Sequence, residues 1–369
     1  MRRPGVILLF FLLEACGRED DEIKELSEAP EAKIEAFEDL GFSVRILSAN
    51  IGNGSNQEKL PQTPWLLSSV PYETYLSDQI QSLQPDIIGF QEVMNTQACA
   101  NYTGNDPEHT CFDYLSKAPA IRRLTGPDYS IVCDNRAQWE CLAVHTSFAT
   151  IDGLSSGGLD LTGAETPLLP AESCIYGVNC KEDLCDQDST VSAITITLTE
   201  NPEIKIRLSH AHPNAPDIHS LYAGITCRTR QLQQLFGGYN GARPLIRPEL
   251  RNIVIGDFNY DPSLRVGNID PLQKEHDLWD IYVSTPGIGD SGAPRRFSMH
   301  NARKHNGQIM KTIANLLAYD HVLTDFATGE CELLGKSGTS ARLDAGFEFD
   351  SRSELSKLDH DSVLCDLSI

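Results

Sequence analysis

Apolar stretches of the length of β-strands recur along the chain, and Gly, Pro, Asn and Asp separate them. Residues 43–47 alternate polar and apolar side chains, a pattern typical of a strand with one buried face. The runs at 87–90 and 253–255 are continuous and rich in Ile and Val, which favours buried strands. The same reasoning predicts further strands near 129–133, 141–149, 191–198, 203–209, 319–325 and 362–367.

Helical periodicity is confined to a few segments. Leu76, Ile80 and Leu83 lie three to four positions apart, which predicts an amphipathic helix that ends before Pro85. A second helix is predicted near 218–236. Many strands, few helices and long loops indicate an α+β fold in which two stacked sheets are flanked by helices.

The first 15 residues have the features of a secretory signal. A basic start, Met-Arg-Arg, precedes an apolar run that is too short to cross a bilayer. Residues 13–16, Leu-Glu-Ala-Cys, resemble the bacterial lipoprotein signal, in which the cysteine becomes the lipid-modified first residue. We therefore expect a signal peptide at 1–15 and lipid attachment at Cys16. The alternative is an ordinary secretory peptide in which Cys16 is incidental.

The segment after the signal is strongly acidic. Between residues 18 and 40 the chain carries ten acidic residues against three basic ones, a large part of its formal net charge of −22. Such a segment buries little apolar surface, so 16–41 is predicted to be a solvated tether. Residues 42–369 are then long enough for one large domain, without an internal repeat or a low-complexity linker.

Cysteine usage indicates an oxidising compartment. The chain has 11 cysteines, and ten remain once Cys16 is assigned to the signal. An even number behind a secretory start predicts disulfides, and the scattered spacing gives little support to the rival zinc site. Sequence does not fix the connectivity. Close spacing favours the pairs Cys99–Cys111 and Cys133–Cys141, with Cys331–Cys365 as a longer link.

The apolar run at 253–255 leads directly into candidate chemistry. Asp257 and Asn259 follow it, two positions apart, so their side chains are expected on one face. A carboxylate beside an amide at the end of a buried strand suits a hard divalent cation or a phosphoryl oxygen. The alternative is a strand followed by an Asp-Pro turn at Asp261 and Pro262.

Other predicted strands also begin or end at polar residues able to bind metal or transfer protons. Each has an ordinary structural explanation when taken alone, such as a turn, a loop cap or a surface ion pair. Together they form an ordered set: Asn50, Glu92, Glu140, His210, His212, Asp257, Asn259, Asp320, Asp359 and His360.

Four short motifs within this set resemble those of the endonuclease/exonuclease/phosphatase superfamily, which includes deoxyribonuclease I-like enzymes. They are Gln-Glu-Val at 91–93, Gly-Asp-Phe-Asn at 256–259, Tyr-Asp-His-Val at 319–322 and Asp-His at 359–360. Each motif is weak alone, but their order at successive strand ends makes the resemblance specific. It spans residues 43–367 and implies a four-layer α/β/β/α sandwich with mainly antiparallel sheets. It also implies an enzyme, a hydrolase that acts on phosphate ester bonds.

The resemblance implies a metal site and a substrate contact. Glu92 would be the principal metal ligand, and Asn50 and Asp359 would complete the site. Oxygen ligands suit Mg²⁺, with Mn²⁺ or Ca²⁺ as alternatives. Asp257 would orient the attacking water, and Asn259 would donate to a phosphoryl oxygen.

Two histidine–carboxylate pairs are implied for proton transfer. Asp320 would orient His360, and Glu140 would orient His210, because a carboxylate fixes the tautomer of its imidazole. His212 shares a strand face with His210, so the choice between them stays open. We favour His210 as the catalytic residue and keep His212 as the possible second histidine.

The substrate class is narrowed by charge. A net charge of −22, and Met94 where deoxyribonuclease relatives tend to carry a basic residue, argue against tight binding of duplex DNA. An extracytoplasmic phosphodiesterase or nuclease remains the first expectation. The alternatives are a phospholipid or small phosphate-ester hydrolase, similar to sphingomyelinases or inositol phosphatases, and a non-catalytic binding protein on the same fold. The basic residues considered as contacts for a substrate phosphate are Arg228, Arg230, Arg295, Arg296, Arg303 and Lys304.

The signal, the tether and the cysteines together predict the location. We expect an extracytoplasmic protein, anchored by lipid to a bacterial membrane and facing the periplasm or the exterior. A monomer is expected, although the sequence itself leaves open the oligomeric state, the substrate and the number of metal ions.

Overall fold

The computed structural model describes residues 41–51, 70–93, 99, 104–134, 139–166, 190–213, 221–239, 242–264, 270–285, 296–304, 308–312, 317–334 and 360–369. The helices are α1 (Val70–Leu83), α2 (Ala120–Thr125), α3 (Leu221–Phe236) and α4 (Asp270–Tyr282). The first strands are β1 (Ser43–Asn50), β2 (Ile87–Val93), β3 (Tyr129–Cys133), β4 (Trp139–His145), β5 (Ala149–Ile151), β6 (Leu159–Asp160) and β7 (Thr190–Leu198). The later strands are β8 (Lys205–His212), β9 (Arg251–Asp257), β10 (Val283–Ser284), β11 (Phe297–His300), β12 (Asp320–Thr324), β13 (Thr328–Leu334) and β14 (Ser362–Ser368).

The strands form two seven-stranded sheets. The first has the order β13-β14-β1-β2-β4-β3-β6, and the second has the order β10-β11-β12-β9-β8-β7-β5. Most neighbours are antiparallel, while β1–β2, β3–β6, β8–β9 and β10–β11 are parallel. Two mixed, mainly antiparallel sheets confirm the predicted fold class.

The main core lies between the sheets because side chains alternate between the two faces of each strand. Val44 and Ile46 of β1 meet Ile206, Ile253 and other apolar residues of the second sheet in one buried cluster. Gly89 lies on this inner face of β2, where an added Cβ would lie 2.8 Å from Cγ2 of Ile255. The glycine therefore lets the two sheets approach each other closely.

Helices cover the outer faces of both sheets. Leu76 of α1 and Ile121 of α2 belong to a second buried cluster with the outward side chains of β1, β2, β3 and β4. On the other side, Phe236 of α3 stacks on Tyr282 of α4 and contacts Phe297 of β11. The result is the predicted α/β/β/α layering.

Several predicted elements need adjustment. The segment predicted as one strand at 141–149 is interrupted by a turn at 146–148, so β4 ends at His145 and β5 begins at Ala149. Helix α4 was not predicted, because Glu275 and His276 are buried in it and interrupt its apolar periodicity. The short strands β6, β10 and β11, and strand β13, were also not predicted.

The three proposed disulfides are confirmed. They join Cys99 to Cys111, Cys133 to Cys141 and Cys331 to Cys365. Cys227 is disulfide-bonded as well.

The signal peptide, Cys16 and the acidic tether lie outside the described residues, as do Met94 and Asp359. All described residues belong to one unit, Glu35–Ile369. The longest of their helices has 16 residues, and none has the length and hydropathy of a transmembrane segment.

Candidate active site

The alternation that builds the core also builds a polar cluster at one end of the sandwich. On β9, the inward positions Ile253 and Ile255 are followed by Asp257, and on β8 the inward positions Ile206 and Leu208 are followed by His210 and His212. Strands of the first sheet reach the same end with Asn50 and Glu140. The apolar core therefore ends in a layer of buried carboxylates, amides and imidazoles.

Asp257 is the centre of this cluster and is only 1% exposed. Its Oδ2 accepts a hydrogen bond from Asn50 Nδ2 at 3.0 Å and lies 3.5 Å from His360 Nε2 and 3.8 Å from His212 Nε2. Its Oδ1 accepts the backbone N–H of Asn259 at 2.7 Å. One carboxylate oxygen is thus held by the loop, and the other faces both histidines.

His212 and Glu140 form the first histidine–carboxylate pair. Nδ1 of His212 lies 2.7 Å from Oε1 of Glu140, and Nε2 of His212 lies 3.8 Å from Oε1 of Glu92. This corrects the expectation that Glu140 orients His210. The described geometry puts His212, at the end of β8, in that position.

His210 lies one inward position deeper and is fully buried. Its Nε2 is 2.8 Å from Nε2 of Gln91 and 3.6 Å from Oε2 of Glu140. Burial lowers the pKa of His210 to about 3, so its imidazole is neutral near pH 7. His210 therefore lies behind the polar cluster and not at its surface.

His360 and Asp320 form the second pair, which is the pairing that the family resemblance implies. Nδ1 of His360 lies 2.9 Å from Oδ2 of Asp320. Asp320 is opposite Asp257 in the register of β12 and β9, which brings His360 to the same centre as His212. Thr312, which sequence analysis did not identify, fixes this region because its hydroxyl accepts the backbone N–H of Tyr319 at 3.1 Å.

The two pairs influence the protonation of their members. Burial raises the pKa of Glu140, and the nearby His212 opposes that shift. Burial lowers the pKa of His212, but the carboxylates of Glu140, Asp257 and Glu92 outweigh it and raise the pKa. Burial likewise raises the pKa of Asp320, against the influence of His360. The distances show that each imidazole directs Nδ1 to its own carboxylate and Nε2 towards Asp257.

Glu92 reaches the site through an unusual backbone conformation. Its φ is 57°, in the left-handed region, and it lies at the point where the register of β2 against β4 shifts between Phe90 and Val93. Its side chain is 25% exposed, so it faces the solvent side of the cluster. The motif identified Glu92 by position, but only the bulge explains how it turns towards His212.

Asn259 also has a left-handed backbone, with a φ of 49°. Its Nδ2 donates to the carbonyl oxygen of Pro213 at 2.9 Å, so one side-chain N–H ties the end of β9 to the residue after His212. Gly256 lets β9 approach β8 closely at this point, because an added Cβ would lie 1.9 Å from the carbonyl oxygen of Ala211. The motif residues at 256–259 therefore hold the ends of β8 and β9 together.

The donor set fits a divalent cation. Asp257, Asp320 and His360 each offer a ligand atom, and these atoms lie within 4.8 Å of one another. Oδ1 of Asp320 and Oε2 of Glu140 are buried without a hydrogen-bond partner among the described residues. In that part of the chain, Asp257, Asp320 and Glu140 form ion pairs with histidines only. Buried carboxylate oxygens that lack a hydrogen-bond donor attract a metal ion.

The basic residues singled out from the sequence are placed differently. Arg228 is 3% exposed and forms a bidentate ion pair with Glu275, so it does not face solvent. Arg296 is paired with Asp325, just beyond the end of β12 opposite to Asp320. Arg295 lies outside the described residues. Neither Arg228 nor Arg296 is therefore free to meet a substrate phosphate.

No protein-family model and no curated protein matches this chain. Solved structures that resemble it include a humanized TDP2 of D. rerio, with 12% identity and a TM-score of 0.48 over 89% of this chain and 99% of that chain. An endonuclease/exonuclease/phosphatase from Bacteroides vulgatus has 14% identity and a TM-score of 0.48 over 89% and 99% of the two chains. The human Nocturnin catalytic domain has 15% identity and a TM-score of 0.45 over 90% and 96%. Similarity this distant carries no argument about activity.

Proposed function

We propose that this protein is a divalent-metal-dependent phosphoester hydrolase. The observation that carries the proposal is the convergence of two histidine–carboxylate pairs on one oxygen of Asp257. His360 and His212 approach that oxygen at 3.5 and 3.8 Å, and each has its carboxylate behind it. A structural role alone does not require two oriented imidazoles around a buried carboxylate.

The chain's own residues supply proton transfer and orientation. One imidazole accepts the proton of the attacking water at Nε2, and the other donates a proton to the leaving oxygen. Glu140 and Asp320 keep these imidazoles in the required tautomer because each accepts a hydrogen bond from Nδ1. Asp257 orients the attacking water through Oδ2. The second side-chain N–H of Asn259 is assigned to a phosphoryl oxygen.

The proposed metal site extends from Glu92 and Asn50 to Asp257, with Asp359 as a further ligand. Mg²⁺ is the first candidate, and Mn²⁺ or Ca²⁺ fit the same oxygen ligands. A bound divalent ion would neutralise phosphoryl charge and lower the pKa of a bound water. Asp320 and His360 lie next to this set and would bind a second ion or stay a proton-transfer pair.

The proposed setting is outside the cytoplasm. Three disulfides among the described residues support an oxidising compartment, because such bonds are rare in the cytosol. A signal peptide at 1–15, lipid attachment at Cys16 and a monomeric catalytic domain complete the proposal. Phosphodiesters, including extracytoplasmic nucleic acids, are the first substrates to test.

A second candidate substrate class is favoured by a specific observation. Arg228 and Arg296, two of the arginines considered for phosphate binding, are engaged in ion pairs with Glu275 and Asp325. A duplex nuclease normally offers Lys and Arg to the DNA backbone, so their engagement favours a phospholipid or small phosphate ester.

A hydrolysis panel tests both candidates. The form that begins after Cys16 would be assayed with plasmid DNA, RNA, sphingomyelin, inositol phosphates and bis-p-nitrophenyl phosphate, with Mg²⁺, Mn²⁺, Ca²⁺ or chelator. Glu92→Gln and His360→Asn are the site variants, and His145→Asn, outside the cluster, is the control.

The outcomes separate the alternatives. Nicked plasmid that is lost in both site variants supports the nuclease, and activity confined to lipids or small esters supports the second class. No hydrolysis of any substrate by a metal-bound protein contradicts the hydrolase proposal and favours a binding protein on the same fold.

A further inference from the structure

Arg228 connects two helices on the outside of the second sheet to the site. Its Nε and Nη2 donate to both carboxylate oxygens of Glu275, and its Nη1 donates to the backbone carbonyl oxygen of Asn259. Arg228 lies on α3 and Glu275 on α4, while Asn259 follows β9. Arg228 is 3% exposed and Glu275 is fully buried. The guanidinium therefore holds a backbone group of the site from behind.

Asn259 is a position where such support has consequences. Its backbone is left-handed, with a φ of 49°, a conformation that asparagine adopts more readily than most residues and that the contacts around it hold in place. Its N–H donates to Oδ1 of Asp257, and its side chain donates to the carbonyl oxygen of Pro213. A rotation of this one residue would break both hydrogen bonds and release Oδ1 of Asp257 from the loop.

We propose that Arg228, held by Glu275, is a positioning residue for the hydrolytic site and acts through the carbonyl group of Asn259. The proposal rests on the proposed hydrolase function and deepens it by assigning a role to a buried ion pair that does not touch substrate. The planar guanidinium suits this task because it forms a bidentate pair and still directs a third N–H at a fixed angle. A lysine provides one charged group without that geometry.

The chain contains a matched control for the packing contribution of such a pair. Arg123 of α2 donates from Nε and Nη2 to Glu73 of α1 at 2.5 and 2.8 Å, and also donates to the carbonyl oxygen of Ala118. This pair likewise joins two helices, but it lies on the outside of the first sheet. Substitutions of Arg123 or Glu73 disturb an ion pair between helices in the same way, but they leave the contacts of Asn259 unchanged.

The first measurement is hydrogen exchange of the peptide that spans 257–261, followed by mass spectrometry. Arg228→Lys should accelerate exchange of the Asn259 amide about tenfold, because the loop loses its support. Arg123→Lys should leave that peptide unchanged. Equal exchange in the wild type and Arg228→Lys would overturn the positioning role. This readout does not require turnover, so it stays decisive if the wild type hydrolyses nothing and the proposed function fails.

The second measurement separates positioning from stability. With bis-p-nitrophenyl phosphate, Arg228→Lys should lower kcat about 10- to 100-fold and change KM less than about threefold, because reacting groups are misplaced while substrate contacts remain. The double variant Arg228→Met/Glu275→Leu leaves no unpaired buried charge, so its melting temperature should stay near that of the wild type. Its kcat should remain as low as that of Arg228→Lys. A stable double variant with wild-type kcat would show a merely structural pair and overturn the proposal.

Discussion

Nδ1 of His212 lies 2.7 Å from Oε1 of Glu140, and the two residues belong to different sheets. His212 ends β8 of the second sheet, and Glu140 is near the start of β4 of the first. The pair is separated by 72 positions in the sequence. It exists only because the sheets stack with these strand ends facing each other, so the pair depends on the stacking of the two sheets.

The first prediction concerns the choice of histidine. His212→Asn should lower kcat by about 10²- to 10⁴-fold, because it removes an acid–base group that faces Asp257. His210→Asn should have a much smaller effect, since His210 lies behind the site beside Gln91. Steady-state kinetics on one diester substrate check both variants. A larger loss in His210→Asn than in His212→Asn would contradict the assignment.

The second prediction concerns the carboxylates behind the histidines. Glu140→Gln should lower kcat roughly 100-fold, because an amide no longer fixes the imidazole tautomer. The double variant Glu140→Gln/His212→Asn should be little worse than His212→Asn, since the pair acts as a unit. Asp152→Asn, which removes a partly exposed carboxylate paired with Lys205, is the control. Fully additive losses would argue against a functional pair.

The third prediction concerns metal binding. A cation that binds the folded chain only, present at about 100 times its Kd, should stabilise the fold by about 2.7 kcal/mol. Calorimetry should therefore show a Tm several degrees higher with Mg²⁺ or Mn²⁺ than with a chelator. Glu92→Gln should reduce this shift, whereas Glu332→Gln on β13 should keep it. A wild-type Tm that is the same with Mg²⁺, Mn²⁺ and chelator would argue against a cation bound to the folded chain.

The fourth prediction concerns stability against pH. His300 is buried, its imidazole is 2.8 Å from the hydroxyl of Thr324, and burial lowers its pKa to about 4. In the unfolded chain the imidazole of His300 has a pKa near 6.5. The neutral imidazole of the folded state therefore makes its full contribution to the free energy of unfolding above pH 6.5. It is lost as the pH falls towards 4, by about 3 kcal/mol at most. Urea unfolding of the wild type and His300→Gln should show a shallower decline in the variant, and parallel curves would refute the assignment.

The fifth prediction compares two disulfides. Cys133–Cys141 closes 8 positions and lies next to Glu140, while Cys331–Cys365 closes 34 positions. Chain entropy predicts losses of about 2–3 kcal/mol and about 4 kcal/mol when each pair is replaced by alanines. Replacing Cys133–Cys141 should cost less stability than replacing Cys331–Cys365, but it should lower kcat more. The reason is that Cys141 is adjacent to Glu140, a residue of the site. Denaturant unfolding and kinetics would check this inversion, and equal kcat values in the two variants would contradict it.

The sequence predicted much of the fold because the relevant signals are local. The alternation at 43–47 located β1, the runs of strand-forming residues located β3, β7, β8 and β12 to within a few residues, and the apolar run at 253–255 located β9. The alternation of side chains along a strand placed Asp257 on the same inward face as Ile253 and Ile255. Close spacing favoured the pairs Cys99–Cys111 and Cys133–Cys141, whereas the spacing of Cys331 and Cys365 gave no comparable signal.

Other elements escaped because their burial depends on distant partners. Helix α4 buries Glu275 against Arg228 and His276 against Tyr260, so two polar residues occupy positions that a helical pattern would reserve for apolar ones. Arg228 looked like a surface cation for the same reason. A sequence does not show which charge will meet its partner in the interior.

The sequence by itself determined which polar side chains stand at the strand ends and on which face of their strands they lie, because a strand alternates with a period of two. It did not distinguish His210 from His212, which share that face and differ only by about 7 Å in depth along the strand. The tertiary structure brings His212, and not His210, within hydrogen-bonding distance of Glu140, since the depth at which Glu140 meets β8 is set by the stacking of the two sheets. It also decided the left-handed backbone of Glu92, a conformation that glutamate rarely adopts and that the shift in strand register imposes here.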